Sequence, residues 1–349
     1  MIPKPLSASA RTQNTAANIV GGRSPKNKTS RSKKGRGRTA AKAKVYVYGP
    51  VPSRRLGFSL GVDILPYKTC SLDCIYCQLG PTPRLTMRRR PYFPLKTVLA
   101  EIKEKIDSGN QIDYITFSGS GEPTLNTSIG RLIGGIKKMS AIPVAVLTNS
   151  TLLTDKKARR DILAADVVVP SLDAATEEGF IRINRPPACL TAKKIIDGLI
   201  ELRREYKGRI WLEVMLVKVI NDSLSEIRAL KEAIALIKPD KVQLNTVVRP
   251  PAEDFARPLS IHLLEKIRRE MGPGTEVTAE FHKTQKGRRP KDLAEAVLSM
   301  VRRRPVSLQD MARSLGKTAT AVRISLAPFL RSGKIRARTH RGVIYYEKG

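Results

Sequence analysis

Three cysteines sit close together in the string Tyr67-Lys68-Thr69-Cys70-Ser71-Leu72-Asp73-Cys74-Ile75-Tyr76-Cys77, with the spacing C-x3-C-x2-C. The chain has only four cysteines, and the fourth, Cys189, lies far along the sequence. A disulfide framework would spread them in pairs; this distribution points to a metal or redox site in a reducing compartment. A structural zinc ion usually takes four protein ligands, and the three histidines, His262, His282 and His340, are all distant. A cubane [4Fe-4S] cluster has four irons, so three thiolates would cover three of them and leave one open for a small ligand. Zinc completed by Cys189, or three incidental cysteines, are the alternatives. By itself Cys189 reads as a buried packing residue.

A second group follows in Ser118-Gly119-Ser120-Gly121-Glu122-Pro123. Glycines let a backbone approach a ligand closely, and the Glu122 carboxylate can accept hydrogen bonds from an ammonium group. The blander reading is a strand–helix turn with an acid in the first helical turn. Asn149, Ser171 and Asp173 follow the next two apolar runs. They are either ligand contacts or helix caps.

The elements that must position these residues show in the periodicity. Gly61 to Leu65, Ile112 to Phe117, Val144 to Leu147, Val167 to Val169, Ile210 to Val219 and Val242 to Asn245 are short, largely β-branched runs, as buried parallel strands are. A further strand is expected over Val45 to Tyr48, stopped by Gly49-Pro50. Helical faces alternate with them, for example Leu95, Val98, Leu99, Ile102 and Ile106, and later Leu224, Ile227, Leu230, Ala233 and Ile234. Repeated β–α units predict an α/β fold with a parallel sheet, a partial TIM-like (β/α)6 barrel over residues 45–285. Chemistry then collects at the C-terminal strand ends.

The net charge is +33. Residues 1–44 hold 12 Lys or Arg and no acid, and residues 286–349 hold 16 basic and 4 acidic residues, which leaves +9 for the middle. The first 44 residues read as a disordered basic arm. After Lys286-Gly287-Arg288-Arg289-Pro290 the pattern changes to three helices and a hairpin: Leu293 to Val301, a helix capped by Ser307, Thr318 to Leu330, then Lys334 to Thr339 and Gly342 to Glu347. That order describes a C-terminal winged helix-turn-helix domain over 286–349. Basic ends suit a polyanion such as nucleic acid; Lys317, Thr318, Thr320, Arg323, Lys334, Arg336, Arg338 and Arg341 are its candidate phosphate contacts. No apolar run approaches a membrane span, and no secretory signal is visible, so a cytoplasmic location is expected.

Cys70-x3-Cys74-x2-Cys77 with Tyr76 before the last cysteine resembles the signature of the radical S-adenosylmethionine (SAM) superfamily. Ser120-Gly121-Glu122 stands where that family has a Gly-Gly-Glu motif. Gly49-Pro50-Val51-Pro52-Ser53-Arg54-Arg55-Leu56-Gly57 and Cys77-Gln78-Leu79-Gly80 are similar to the small radical SAM proteins related to tRNA wyosine synthases. The resemblance implies that Cys70, Cys74 and Cys77 ligate a [4Fe-4S] cluster whose open iron chelates SAM. It implies that Tyr76 lines the adenine pocket, that Gly121 and Glu122 hold the methionine amino group, and that Asn149, Ser171 and Asp173 reach the ribose or carboxylate. An electron donor of flavodoxin or ferredoxin type then drives cleavage of SAM to a 5′-deoxyadenosyl radical. Lys218, in Leu216-Val217-Lys218-Val219, is similar to a wyosine-synthase lysine that forms a Schiff base, and is a candidate nucleophile.

Three functions follow: a radical SAM enzyme modifying tRNA or another nucleic-acid-linked substrate, one acting on a small molecule or protein with the winged helix as a dock, and a cluster-bearing, nucleic-acid-binding regulator.

Overall fold

A computed structural model describes residues 45–53, 55–278 and 293–349. The basic arm over 1–44 and the break around 286–290 lie outside the described residues. The described residues form one compact unit.

The strands are β1 (Val47–Ser53), β2 (Gly57–Val62), the two-residue pair β3 (Thr69–Cys70) and β4 (Arg84–Leu85), β5 (Tyr114–Phe117), β6 (Val144–Thr148), β7 (Val167–Pro170), β8 (Arg209–Leu216), β9 (Lys241–Thr246) and β10 (Thr275–Val277). Eight of them make one sheet in the order β1-β2-β5-β6-β7-β8-β9-β10. From β2 onward every pairing is parallel; β1 alone runs antiparallel to β2. Helices α1 (Leu95–Asp107), α2 (Ile129–Met139), α3 (Lys156–Ile162), α4 (Glu177–Asn184), α5 (Ala192–Glu205), α6 (Leu224–Ile237) and α7 (Ile261–Met271) connect the strands. The architecture is the α/β fold with a mostly parallel central sheet that the repeated units predict.

The physical reasons are local. All four residues of β7 are buried, because a parallel sheet covered by crossover helices has no wet face. The apolar stripe Ile129, Leu132, Ile133 and Ile136 seats α2 on that sheet. Thr176, Thr191, Ser223 and Ser260 each accept a backbone N–H at a helix start, a cap worth about 1 kcal/mol.

Several details differ from the periodicity: β2 covers Gly57–Val62 where the pattern predicts Gly61 to Leu65, and β8 ends at Leu216 rather than Val219. β1 does not stop at Gly49-Pro50; it continues to Ser53 with a register shift between Tyr48 and Val51. Gly49 has φ +93°, and a Cβ there would lie 2.6 Å from the Val51 amide nitrogen, so the shift needs glycine. The short β10 was not marked by any run, since three residues carry too little pattern.

The C-terminal elements are α8 (Leu293–Val301), β11 (Val306–Ser307), α9 (Leu308–Leu315), α10 (Ala319–Arg331), β12 (Ile335–His340) and β13 (Val343–Lys348). Ser307 caps α9 as expected, accepting from the Asp310 amide, and Thr318, expected as the first residue of the third helix, caps α10 by accepting from the Ala321 amide. The hairpin gains a third strand, β11, against β13. Val297, Val301, Met311, Val322, Leu326 and Tyr346 share one apolar core with Tyr48 and Val51 of β1. A buried ion pair adds to this seam: Arg303, just past α8, holds Asp63 at the end of β2. Arg303 also lies 5.1 Å over the Tyr48 ring.

Candidate active site

β3 carries Cys70, and the loop after it brings Cys74 and Cys77 back beside it. The pairing of β3 is what fixes this loop. Thr69 bridges to Gly121 in parallel register, and the Glu122 amide donates to the Thr69 carbonyl at 3.2 Å. A Cβ on Gly121 would lie 1.7 Å from that carbonyl oxygen, so the cysteine loop can reach the Gly-Glu turn only because residue 121 has no side chain.

Each sulfur faces its own nitrogen donor. Lys68 Nζ donates to Cys77 Sγ at 2.8 Å. Asn184 Nδ2, at the end of α4, approaches Cys74 Sγ at 3.3 Å. Asn149 Nδ2, past β6, approaches Cys70 Sγ at 3.4 Å and also donates to Ser71 Oγ at 2.9 Å. Burial, with Glu122 nearby, pushes the Cys70 thiol up to about 11; burial and Asp173 push Cys74 up further. Burial works against the charge of Lys68, yet the three cysteines together hold its pKa above the usual lysine value.

Asp173 ties the far side together. Tyr76 Oη donates to its Oδ2 at 2.5 Å, Asn184 Nδ2 to the same oxygen at 2.7 Å, and the Met215 amide to Oδ1 at 3.0 Å. Burial dominates, raising Asp173 to about 6. Glu122 is equally enclosed: Oε1 accepts from the Thr124 amide at 3.0 Å, Thr124 Oγ1 at 2.5 Å and Thr148 Oγ1 at 2.7 Å, and Oε2 from the Asn149 amide at 2.6 Å. Burial lifts its pKa and these donors oppose the rise.

A narrow crevice of about 10 Å³ lies between these residues, lined by Asn149, Ser171, Asp173 and Asn184 together with Leu72 and Phe180. The predicted trio from the β6 and β7 strand ends is therefore brought to one place. Lys218 is not part of that lining; it lies on the turn after β8 and is exposed. Cys189, expected to pack inside, is exposed in the turn before α5. Lys68, Asn184 and Asp63 are the residues that sequence reasoning missed. Lys68 alone left a signal: a lysine two positions before the first cysteine of the cluster.

The donor set fits a thiolate-ligated iron–sulfur cluster. Soft sulfurs buried among apolar side chains ionise only with help from cationic partners or metal, and nitrogen donors aimed at them stabilise that charge. Among the described residues no three His, Cys, Asp or Glu side chains are gathered tightly enough to grip a single metal ion; a cubane asks each thiolate to meet a separate iron.

Comparison with known proteins agrees. Residues 64–232 match the radical SAM superfamily. A radical SAM methyltransferase from Sphaerobacter thermophilus has the same fold, with a TM-score of 0.50 and 18% identity, over 63% of this chain and 66% of that one. The chain belongs to the radical SAM superfamily, enzymes that use a [4Fe-4S] cluster and SAM, and within it to the UPF0026 proteins. A UPF0026 protein of Methanocaldococcus jannaschii is 38% identical over 222 residues, 63% of this chain and 69% of that protein. A GTPase Obg of Brachyspira hyodysenteriae is 38% identical over 303 residues, 86% of this chain; the chain spans 45% of the length of that relative. Among the described residues no helix is long and apolar enough to cross a membrane.

Proposed function

We propose that Cys70, Cys74 and Cys77 ligate a [4Fe-4S] cluster with one iron left for SAM, and that the chain is a radical SAM enzyme acting on a nucleic acid, with tRNA the first candidate. The observation that carries the cluster reading is the matched set of sulfurs and nitrogen donors: Cys70 with Asn149, Cys74 with Asn184, Cys77 with Lys68. When bound and reduced by an external flavodoxin- or ferredoxin-type donor, the cluster and SAM supply one-electron cleavage of a carbon–sulfur bond and hydrogen abstraction from substrate.

The chain's own residues bind and shield. Gly121 and Glu122 are assigned to the methionine end of SAM, Tyr76 to its adenine, and Asn149, Ser171 and Asp173 to its ribose or carboxylate. Asp173 braces Tyr76 against β8, so the last turn of the cysteine loop cannot swing away from the strand ends. Glu122 fixes the Asn149 backbone and so aims the Asn149 amide at Cys70.

Residues 286–349 are assigned as a winged helix-turn-helix module on a catalytic unit over 45–285. The nucleic-acid reading rests on their charge, 16 basic residues against 4 acidic. Anaerobic reconstitution tests the enzyme: iron and sulfide should bind, and dithionite should drive release of 5′-deoxyadenosine. A cluster that forms but leaves SAM intact would favour a regulator. Mass spectrometry of bulk tRNA from a deletion strain should show a missing modification; unchanged tRNA would redirect the search to other substrates.

A further inference from the structure

A second cleft, of about 200 Å³, lies between the C-terminal elements and the two flanks of the cysteine loop. One wall is Tyr67 with the segment Gln78 to Pro81, immediately before and after the cysteines. The opposite wall is Arg302, Arg303, Arg304, Arg336, Arg338 and Lys348, with Glu347 the only acid among the described residues that line it. Arg303 is committed to Asp63. Arg336 pairs with Glu347 at 2.7 Å, and Arg338 with the highly exposed Asp254 at 2.7 Å. An exposed pair such as Arg338–Asp254 is worth about 0–1 kcal/mol and gives way readily to a stronger anion; Arg336 is 68% exposed although its partner Glu347 is 12% exposed, and Arg302 reaches Glu295 at 3.9 Å.

Tyr67 is the other half of the observation. The residue is 48% exposed, yet its position is set: Oη donates to the Leu79 carbonyl at 3.0 Å, and Lys348 Nζ lies 5.5 Å from the ring centre. An exposed aromatic held rigid on the rim of a basic groove is the arrangement on which unpaired bases stack while phosphates follow the cations. Duplex reading by a helix in the major groove would use instead the Lys317 and Arg323 cations at α10.

We infer that this cleft is a single-strand nucleic-acid channel, in which Arg302, Arg336 and Arg338 hold backbone phosphates and Tyr67 stacks an unpaired base at the edge of the cysteine loop. The inference rests on the nucleic-acid reading above and names the surface that delivers the substrate. Tyr67 is three positions before Cys70 in the sequence, so a base stacked there would lie on the segment that leads into the cysteine loop.

Fluorescence anisotropy with the full chain and short fluorescein-labelled single strands, RNA and DNA in separate arms, tests it. Arg336→Ala/Arg338→Ala should lower the salt-dependence slope by about 1.4, from two lost phosphates at roughly 0.7 each. Tyr67→Ala should weaken binding about tenfold, within the range for one stacked base, and Tyr67→Phe should restore it. A 4-thiouridine strand should photocrosslink to the peptide containing Tyr67 or to Gln78–Pro81, a measurement that needs no variant. Should the cleft variants bind like the wild type while Lys317→Ala/Arg323→Ala at α10 loses binding, the channel is wrong and the nucleic-acid reading survives. Equal affinity for a duplex also overturns the channel. Should the wild type bind no strand even at low salt, the nucleic-acid reading itself falls, whatever the 5′-deoxyadenosine assay shows.

Discussion

The cysteine site and the basic cleft lie on either side of the same loop, and they are built on opposite principles. The site uses few charges, nearly all buried, each with named partners at hydrogen-bond distance: Asp173 and Glu122 are 3% and 2% exposed. The cleft uses many charges of one sign, loosely paired at the surface. Buried groups lose strength only when a partner is removed, whereas surface charges lose it to dissolved salt. Cluster chemistry has to exclude water, and the proposed recognition has to let a long polymer come and go, so the two would need these different solutions.

That contrast can be broken most severely at the sulfurs. Cys74→Ser should abolish iron retention and 5′-deoxyadenosine release while leaving oligonucleotide affinity within about twofold, since the charges behind the latter are unaltered; iron analysis and anisotropy on one preparation decide it. Next comes the seam. Arg303→Met leaves the buried Asp63 carboxylate without its cation, and loss of one partner of a buried pair costs roughly 3–5 kcal/mol. Thermal unfolding should show a large fall in midpoint, and salt should not rescue it.

A subtler test uses Asp173 in the cluster-free protein. Burial lifts its pKa from 3.8 to about 6, so between those values the folded chain binds more protons than the unfolded one. Stability from this group therefore falls as pH rises through that window and is flat on either side. Asp173→Asn should remove that slope, read as the difference between the two chains' unfolding curves from pH 4 to pH 7. The smallest effect is Thr318→Ala. It deletes the cap of α10 and should cost about 1 kcal/mol by denaturant titration, with the cluster undisturbed.

The same contrast governs what could be read without coordinates. The cysteine loop is local, so its spacing alone shows an incomplete ligand set. The parallel strands announce themselves because burial on both faces demands unbroken β-branched runs such as Val167 to Val169. The sulfur donors do not: Asn184 is 110 positions from Cys74 and Asn149 is 79 from Cys70, and nothing periodic links them. Arg303 and Asp63 are 240 positions apart. A lone arginine in Arg302-Arg303-Arg304 looks like one more surface charge until the fold buries its partner. Cys189 misleads in the opposite direction, since a cysteine's usual preference for the interior yields here to a turn that leaves it outside.

The edge strand β1 has one further consequence. An open sheet ends in a row of backbone groups that can recruit a strand from another copy. Here α8 and α9 roof that strand over Tyr48 and Val51, and Ser314 Oγ, 3.5 Å from the Pro50 carbonyl, reaches into it. The tail thus doubles as a guard against self-association. Shortening the gene at residue 285 to obtain a minimal catalyst should yield a sticky product in which apolar surface and sheet edge are bared together.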